Sequence, residues 1–144
     1  MNLKEKRGFT LIELLVVIAI IGILSSVVLA SLNTARDKGN DAAIKSNLAN
    51  LRAQAELFYD GNLAVGYDGL FTGGNTGVDN ITAAVDKISD DTKYQDSTEG
   101  WAALAQLRSD NTQYWCVDYT GYSGTASSTS ITDGATSGED VKCQ

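Results

Sequence analysis

The feature that most constrains this chain is an uncharged run of 22 residues, 14–35, that directly follows a single carboxylate, Glu13. About 20 apolar residues suffice to span a bilayer as a helix. Basic residues in the segment 4–7 predict a cytoplasmic N-terminus, so we expect residues 9–35 to be a transmembrane helix. An ionised carboxylate there costs on the order of a few kcal/mol. A charged partner for Glu13 is therefore upstream, on another chain, or absent.

Composition excludes several classes of function. The chain has 144 residues, enough for one small domain. Its net charge of −7 argues against non-specific nucleic-acid binding. It has no His, which excludes His-based triads and the common zinc sites. No general acid and base are paired by spacing, so we expect no enzyme activity, no cofactor and no metal.

Apolar residues after position 40 recur at helical spacing. The intervals of four and three residues predict an amphipathic helix that ends at about Tyr59. Its apolar stripe consists of Ile44, Leu48, Leu51, Ala55 and Phe58. A sheet of the same chain or a neighbouring helix must cover this stripe.

The rest of the chain predicts a small β-structure. Residues 60–77 are rich in Gly, Asn and Asp, which is typical of a loop, and residues 78–99 allow a short helix through Ile81, Val85 and Ile88. Residues 101–108 and 112–120 alternate in polarity around a turn sequence and predict a β-hairpin. A helix over 101–108 is the alternative, because Ala and Leu are good helix formers. We expect Trp115 or Tyr114 to cover the helical stripe.

The two cysteines frame a segment rich in Gly, Ser and Thr, residues 120–140. Composition alone predicts a flexible tail. Cys143 can instead pair with Cys116 and close the segment, which would stabilise the fold by about 3 to 4 kcal/mol on the chain-entropy argument. An outward-facing C-terminal part would meet the oxidising environment that this bond requires. Two free thiols are the alternative.

Three interpretations of the N-terminus compete. The first is a secretory signal cut between Ala30 and Ser31. This interpretation does not explain why Glu13 lies in the apolar region of the signal. The second is a permanent single-span anchor, which leaves Glu13 equally unexplained. The third is cleavage between Gly8 and Phe9. This cleavage creates an α-amino cation one helical turn from Glu13. The carboxylate could pair with this amine in its own chain or with the amine of a neighbouring copy. The carboxylate would then fix the register of otherwise featureless apolar helices.

Residues 6–15, KRGFTLIELL, resemble the class III signal sequence of type IV pilins and their relatives. The family pattern is a basic leader, Gly, Phe, three residues and then Glu at the head of an apolar helix, and every element is present. The resemblance extends to about residue 58. Beyond that point the chain matches in architecture only.

The resemblance implies the type IV pilin fold. This is an α+β fold in which a long N-terminal helix packs on a small antiparallel β-sheet with a C-terminal disulfide loop, here closed by Cys116 and Cys143. It divides the chain into a leader, residues 1–8, a transmembrane and filament-core half of the helix, 9–35, an amphipathic half, 36–59, and a globular head, 60–144.

The resemblance also implies residue roles and partners. A prepilin peptidase would cut after Gly8 and methylate the amine of Phe9, and Glu13 would neutralise that amine on an adjacent subunit. The subunit would sit in the inner membrane, then enter a homo-oligomeric filament at the cell surface. An assembly platform and an ATPase would drive the transfer.

One position departs from the pattern. Many pilins carry proline eight residues after the glycine at the position of Gly22, and here that residue is Ala30. Several pseudopilins also lack this proline. A pilin is therefore the main hypothesis, a pseudopilin of a type II secretion or competence system is the alternative, and a membrane-anchored extracytoplasmic binding domain is the alternative outside the family.

Two further residue groups are candidate binding sites. A calcium site of the kind found in major pseudopilins would use Asp90, Asp91, Asp96 and Glu99, but their spacing matches no calcium loop and a solvated acidic face is the simpler interpretation. An adhesive surface would use Tyr114, Trp115, Tyr119 and Tyr122, although such aromatic residues more often pack a sheet onto a helix.

Overall fold

A computed structural model of the chain describes residues 8–72, 74–127, 131 and 141–143. Residues 1–7 and positions 128–130 and 132–140 of the Ser/Thr-rich segment lie outside the described residues. The chain divides into two compact units, one ending at Arg36 and the other beginning at Asp37.

The described residues form two helices and four strands. The helices are α1, Leu11–Gly61, and α2, Thr76–Asp86; the strands are β1, Thr92–Asp96, β2, Trp101–Gln106, β3, Tyr114–Asp118, and β4, Ser123–Ala126. The strands form one antiparallel sheet in the order β1-β2-β3-β4. This is the predicted α+β fold, and α1 ends two residues beyond the predicted position.

The first unit consists of an apolar helical segment with no covering layer. Every residue from Leu11 to Arg36 is exposed. In length and composition, α1 contains a stretch able to cross a membrane. This segment therefore depends on lipid or on other protein to cover it.

The second unit has its core where α1 and α2 meet one face of the sheet. The predicted stripe is covered: Phe58 is partly buried against the core, and the other four members, Ile44, Leu48, Leu51 and Ala55, are fully buried. Facing it are the alternate residues of β2 and the turn after it, Trp101, Ala103, Ala105 and Leu107. Small alanine side chains next to a large tryptophan let the helix and the sheet interdigitate.

The opposite face of the sheet is buried as well. Ala102, Leu104, Tyr114 and Cys116 pack there with Ile131 and Val141 from the C-terminal part of the chain. Cys116 and Cys143 form the predicted disulfide. Because this bond joins β3 to Cys143, it holds residues 141–143 at the second face.

Two buried carboxylates fix the loops to this framework. Asp41 of α1 accepts hydrogen bonds from the backbone N–H of Arg108, at 2.6 Å, and from the hydroxyl of Ser109. Asp118 at the end of β3 accepts from the backbone N–H groups of Thr120, at 2.9 Å, and Cys143, at 2.9 Å. The β2–β3 turn is thereby tied to α1, and the C-terminal segment to β3.

The hairpin prediction is confirmed and the outer strands were missed. β2 and β3 pair with Ala103 opposite Val117, which excludes the alternative helix over 101–108. Of the two aromatic residues predicted as alternatives, Trp115 packs on the helix side and Tyr114 lies on the other face. α2 matches the short helix allowed through Ile81 and Val85, but it begins inside the predicted loop 60–77.

Two tyrosine hydroxyls donate to carboxylates in the second unit. Tyr67 donates to Glu56 at 3.0 Å, and Tyr94 donates to Asp86 at 2.8 Å. Burial, followed by the bond to Glu56, raises the pKa of Tyr67 to about 12. Burial also raises the pKa of Tyr94, with the bond to Asp86 adding to the effect. Both phenols are therefore more strongly held in the neutral form in the folded state than in the unfolded chain.

We expect alkaline pH to weaken the second unit. A raised folded-state pKa of Tyr67 contributes stability below the ordinary tyrosine pKa of about 10, and this contribution disappears as pH rises through about 12. Urea unfolding of the full chain in detergent, followed by near-UV circular dichroism between pH 8 and 12, measures the loss. A Tyr67→Phe variant should show a shallower decline over this range, and an identical pH dependence would contradict the assignment.

Candidate functional site at the start of the first helix

The predicted cleavage site lies in chain that precedes the first helix. Gly8, Phe9 and Thr10 are exposed and have no regular secondary structure, and α1 begins at Leu11. Phe9 has 92% of its surface exposed. A Cβ added at Gly8 would meet nothing within 4 Å. The bond between Gly8 and Phe9 is therefore open to another protein, and the chain's own packing does not require glycine at position 8.

Thr10 and Glu13 cap the start of the helix reciprocally. The carboxylate of Glu13 accepts from the backbone N–H of Thr10 and from its hydroxyl, both at 2.9 Å. The backbone N–H of Glu13 donates to the Thr10 hydroxyl oxygen at 3.2 Å. This is a capping box, in which the N-cap residue and the residue three positions later satisfy each other's backbone donors. A carboxylate in the first turn also interacts favourably with the helix dipole.

The capping box gives Glu13 a neutral local partner. The sequence predicts a charged partner for Glu13, and the structure adds an uncharged partner, Thr10, three residues upstream. Two hydrogen bonds from Thr10 occupy one oxygen of the carboxylate, but they leave its negative charge uncompensated. An apolar environment therefore still favours a cation near Glu13.

Sequence reasoning missed Thr10, although a readable signal was present. The pattern Thr-x-x-Glu immediately before an apolar run is typical of a capping box. The wider motif drew attention to Gly8, Phe9 and Glu13, and Thr10 was treated as one of three spacer residues.

The apolar helix satisfies polar groups within itself. The hydroxyl of Ser26 donates to the carbonyl of Ile23 at 2.7 Å, and that of Thr34 donates to the carbonyl of Ala30 at 3.3 Å. Both hydroxyls therefore lose little in lipid or in a bundle of helices. The helix continues without interruption through Gly22 and Ala30.

The candidate calcium residues have separate partners. Asp90 forms an ion pair with Arg108, and Asp91 accepts from the Tyr114 hydroxyl at 2.9 Å. Burial raises the pKa of Asp96, while the backbone N–H groups of residues 69–71 lower it. Glu99 is exposed in the β1–β2 turn. Within the described part of the chain, no three His, Cys, Asp or Glu side chains are placed to hold a metal ion.

Most of the candidate aromatic residues are packed against the framework. Tyr114 is buried, and Trp115 and Tyr119 are partly buried against the helix-side core. The ammonium of Lys45 lies 4.7 Å from the ring centre of Trp115. Tyr122 is 41% exposed and donates to the carbonyl of Thr125 at 3.0 Å. Trp115 and Tyr119 therefore pack the helix side of the sheet, and Tyr114 packs its opposite face.

Comparison with known proteins identifies the N-terminal motif. Residues 3–29 match the family described as the prokaryotic N-terminal methylation motif. The chain is 41% identical over 56 residues to the type IV wide pilus major component PilA4 of Thermus thermophilus, a match that covers 39% of this chain and 43% of the relative. The resemblance inferred from residues 6–15 is confirmed.

Secretion proteins match over a similar length. The type II secretion system core protein G of Klebsiella michiganensis is 36% identical over 58 residues, which is 40% of this chain and 41% of the relative. The protein of the same name from Dickeya chrysanthemi is 34% identical over 55 residues, 38% and 36% of the two chains. No solved structure matches the chain. The chain thus spans less than half the length of the relatives that it matches.

We expect Thr10→Val to weaken the start of α1 while Thr10→Ser preserves it. Loss of an N-cap hydroxyl costs on the order of 1 kcal/mol, which corresponds to about fivefold faster local opening. Hydrogen exchange at the backbone N–H of Glu13, measured on the full chain in detergent micelles, reports this opening. Equal exchange rates in the valine and serine variants would show that the hydroxyl does not cap the helix.

Proposed function

We propose that this chain, which carries the N-terminal motif found in type IV pilins and type II secretion pseudopilins, is a structural subunit that polymerises into a type IV pilus. The observation that carries the proposal is the apolar segment from Leu11 to Arg36, which is exposed throughout and starts with one acidic side chain. Such a segment needs lipid before assembly and other copies of itself afterwards.

The proposed subunit matures by cleavage after Gly8. A prepilin peptidase removes residues 1–8 and methylates the new amine of Phe9. Since a side chain at position 8 would meet nothing in the chain itself, the need for glycine lies in the protease, whose active site must accommodate the residue before the cut. Residues 9–35 then form the transmembrane and later filament-core half of the helix, residues 36–59 its amphipathic half, and residues 60–144 the head.

Glu13 is the proposed assembly residue. Cleavage places a cation four residues before Glu13, on its own chain and on every neighbouring chain. In the apolar interior of a filament, a carboxylate of one copy and the amine of the next attract each other far more strongly than in water. Copies in any other register leave a buried charge unpaired, which is strongly unfavourable. The pair therefore fixes the offset between the two otherwise uniform helices that it joins.

The proposed location changes during assembly. The subunit first lies in the cytoplasmic membrane with its head outside, where the disulfide can form. A membrane platform and an ATPase then transfer it into a homo-oligomeric filament at the cell surface. Adhesion, motility and DNA uptake are the roles that such a filament serves.

A pseudopilin is the second candidate function. Two observations favour it: the similarity to the type II secretion core proteins, and Ala30 at the position where many pilins carry proline. In this role the same processing and pairing would build a short fibre within the cell envelope. An anchored extracytoplasmic binding domain would require no cleavage at Gly8.

Mass spectrometry of filaments sheared from the cell surface tests the proposal. An abundant species that begins at methylated Phe9 supports a pilin. A chain that begins at Phe9 but stays in the membrane fraction supports the pseudopilin. A chain that begins at Met1 or Ser31 in both fractions contradicts both functions.

We expect Glu13→Ala to reduce the assembled fraction at least tenfold while the amount in the membrane is unchanged, because the neighbouring amine loses its partner in a low-dielectric environment. Glu99→Ala, at an exposed position in the β1–β2 turn, is the matched control. Immunoblots of sheared and membrane fractions give both quantities. Wild-type assembly of the Glu13 variant would rule out the pairing role.

A further inference from the structure

Between residues 39 and 53, the exposed face of α1 lacks the charged side chains that a water-facing helix surface normally carries. Seven exposed positions lie between residues 39 and 53, a stretch described throughout: Gly39, Ala42, Ala43, Ser46, Ala49, Asn50 and Ala53. None carries a charge, and most are small. Helices at the surface of a soluble domain normally place charged residues on this side. We call this surface the small-residue face.

Lys38 lies at one end of the small-residue face and is exposed. The described residues provide no hydrogen bond or ion pair for its side chain. The other two cations of α1 in this unit are engaged by the head: Lys45 lies over the Trp115 ring, and Arg52 donates to the Tyr122 carbonyl at 2.9 Å. Lys38 is therefore the helix cation that remains available to another molecule.

A second stretch of the second unit, residues 57–68, carries exposed side chains with complementary properties. Of the large apolar side chains that are exposed in the second unit, Leu57, Leu63 and Val65 fall within nine residues, with exposures of 65%, 72% and 44%. Asp60 and Asp68 are exposed beside them in sequence. Residues 53–86 contain five carboxylates and no Lys or Arg. We call Leu57, Asp60, Leu63, Val65 and Asp68 the loop patch.

One copy of the chain cannot bring its own loop patch to Lys38. Lys38 and Asp60 are 22 residues apart on the same helix, which is about 33 Å at 1.5 Å per residue. A second copy, shifted along the helix axis by about 33 Å, can place its loop patch on the small-residue face beside Lys38.

We infer that the small-residue face of one copy is the docking surface for the loop patch of another copy. This inference rests on the proposed function. The small side chains let the partner approach closely, the exposed leucines leave water, and Lys38 faces the carboxylates of the partner. Because two different surfaces meet, the contact is heterologous, and repetition of a heterologous contact that does not close into a ring gives a filament.

Substitution of Ala49 tests the docking surface, with Ala83 as its matched control. Both alanines are exposed on helices, Ala49 on α1 and Ala83 on α2, so Ala→Glu adds the same bulk and charge at each. We expect Ala49→Glu to reduce the assembled fraction about tenfold, because a carboxylate would face the acidic loop patch. Ala83→Glu should assemble like the wild type. Formation of the Cys116–Cys143 disulfide, read by thiol labelling, verifies that each head has folded.

Photocrosslinking identifies the partner surface directly. A benzophenone amino acid in place of Leu63, in the full chain in cells, should form covalent dimers whose adducts map to residues 38–53 of the second copy. Dimers that map elsewhere, or wild-type assembly of folded Ala49→Glu, overturn the docking surface and leave the proposed function standing. If the wild-type chain forms no higher assembly in either the sheared or the membrane fraction, the proposed function itself fails, and the docking surface with it.

Discussion

The second unit depends on the contact between the α1 stripe and β2. Ile44, Leu48 and Leu51 have no exposed surface, and neither has Trp101 opposite them. Each of these side chains buries most of its apolar area, and full burial of one such side chain contributes on the order of 1.5 to 3 kcal/mol. The hydrogen bonds of Asp41 and Asp118 then orient loops around a core that already exists. Without the stripe, β2 would lose its contact with α1 and would retain only α2 and the loop before it on this side.

The sequence predicted the parts of this fold that have a strong hydrophobic period. The 4, 3, 4, 3 spacing of the stripe and the alternation in β2 and β3 each report one buried face, and these elements were located correctly. β1, TKYQD, is partly buried at every position, and β4, SGTA, is polar and contains glycine. Both are the outer strands of the described sheet, and such strands lack the alternation that identifies a half-buried strand.

The residues of the N-terminal site were likewise predicted only in part. A long motif at fixed spacing identified Gly8, Phe9 and Glu13, because each element has a distinct chemical property. The role of Thr10 depends on geometry across one helical turn, and two hydrogen bonds to one carboxylate oxygen become visible only in coordinates. Asp41 was hidden for a similar reason: its partners, Arg108 and Ser109, are more than 60 residues away in sequence.

The capping box also affects how Glu13 can act. A carboxylate bonded to Thr10 is already oriented towards the start of the helix, where the amine of a processed neighbour would approach. Because the hydrogen bonds already hold the Glu13 side chain in place, it loses little further conformational entropy when a cation binds. Its charge is not neutralised by these bonds, so it still attracts a cation.

The position of Cys143 has a consequence for the order in which the head is completed. A chain is synthesised from its N-terminus, so β2 and β3 exist before Val141 and Cys143 do. Until those residues arrive, the face formed by Ala102, Leu104 and Cys116 has an uncovered apolar surface, an unpaired thiol, and in Asp118 an acceptor that lacks one of its donors. A chain interrupted before residue 141 therefore retains the features that proteases and chaperones recognise in unfinished proteins. This face of the sheet is therefore completed only after residues 141–143 have been synthesised.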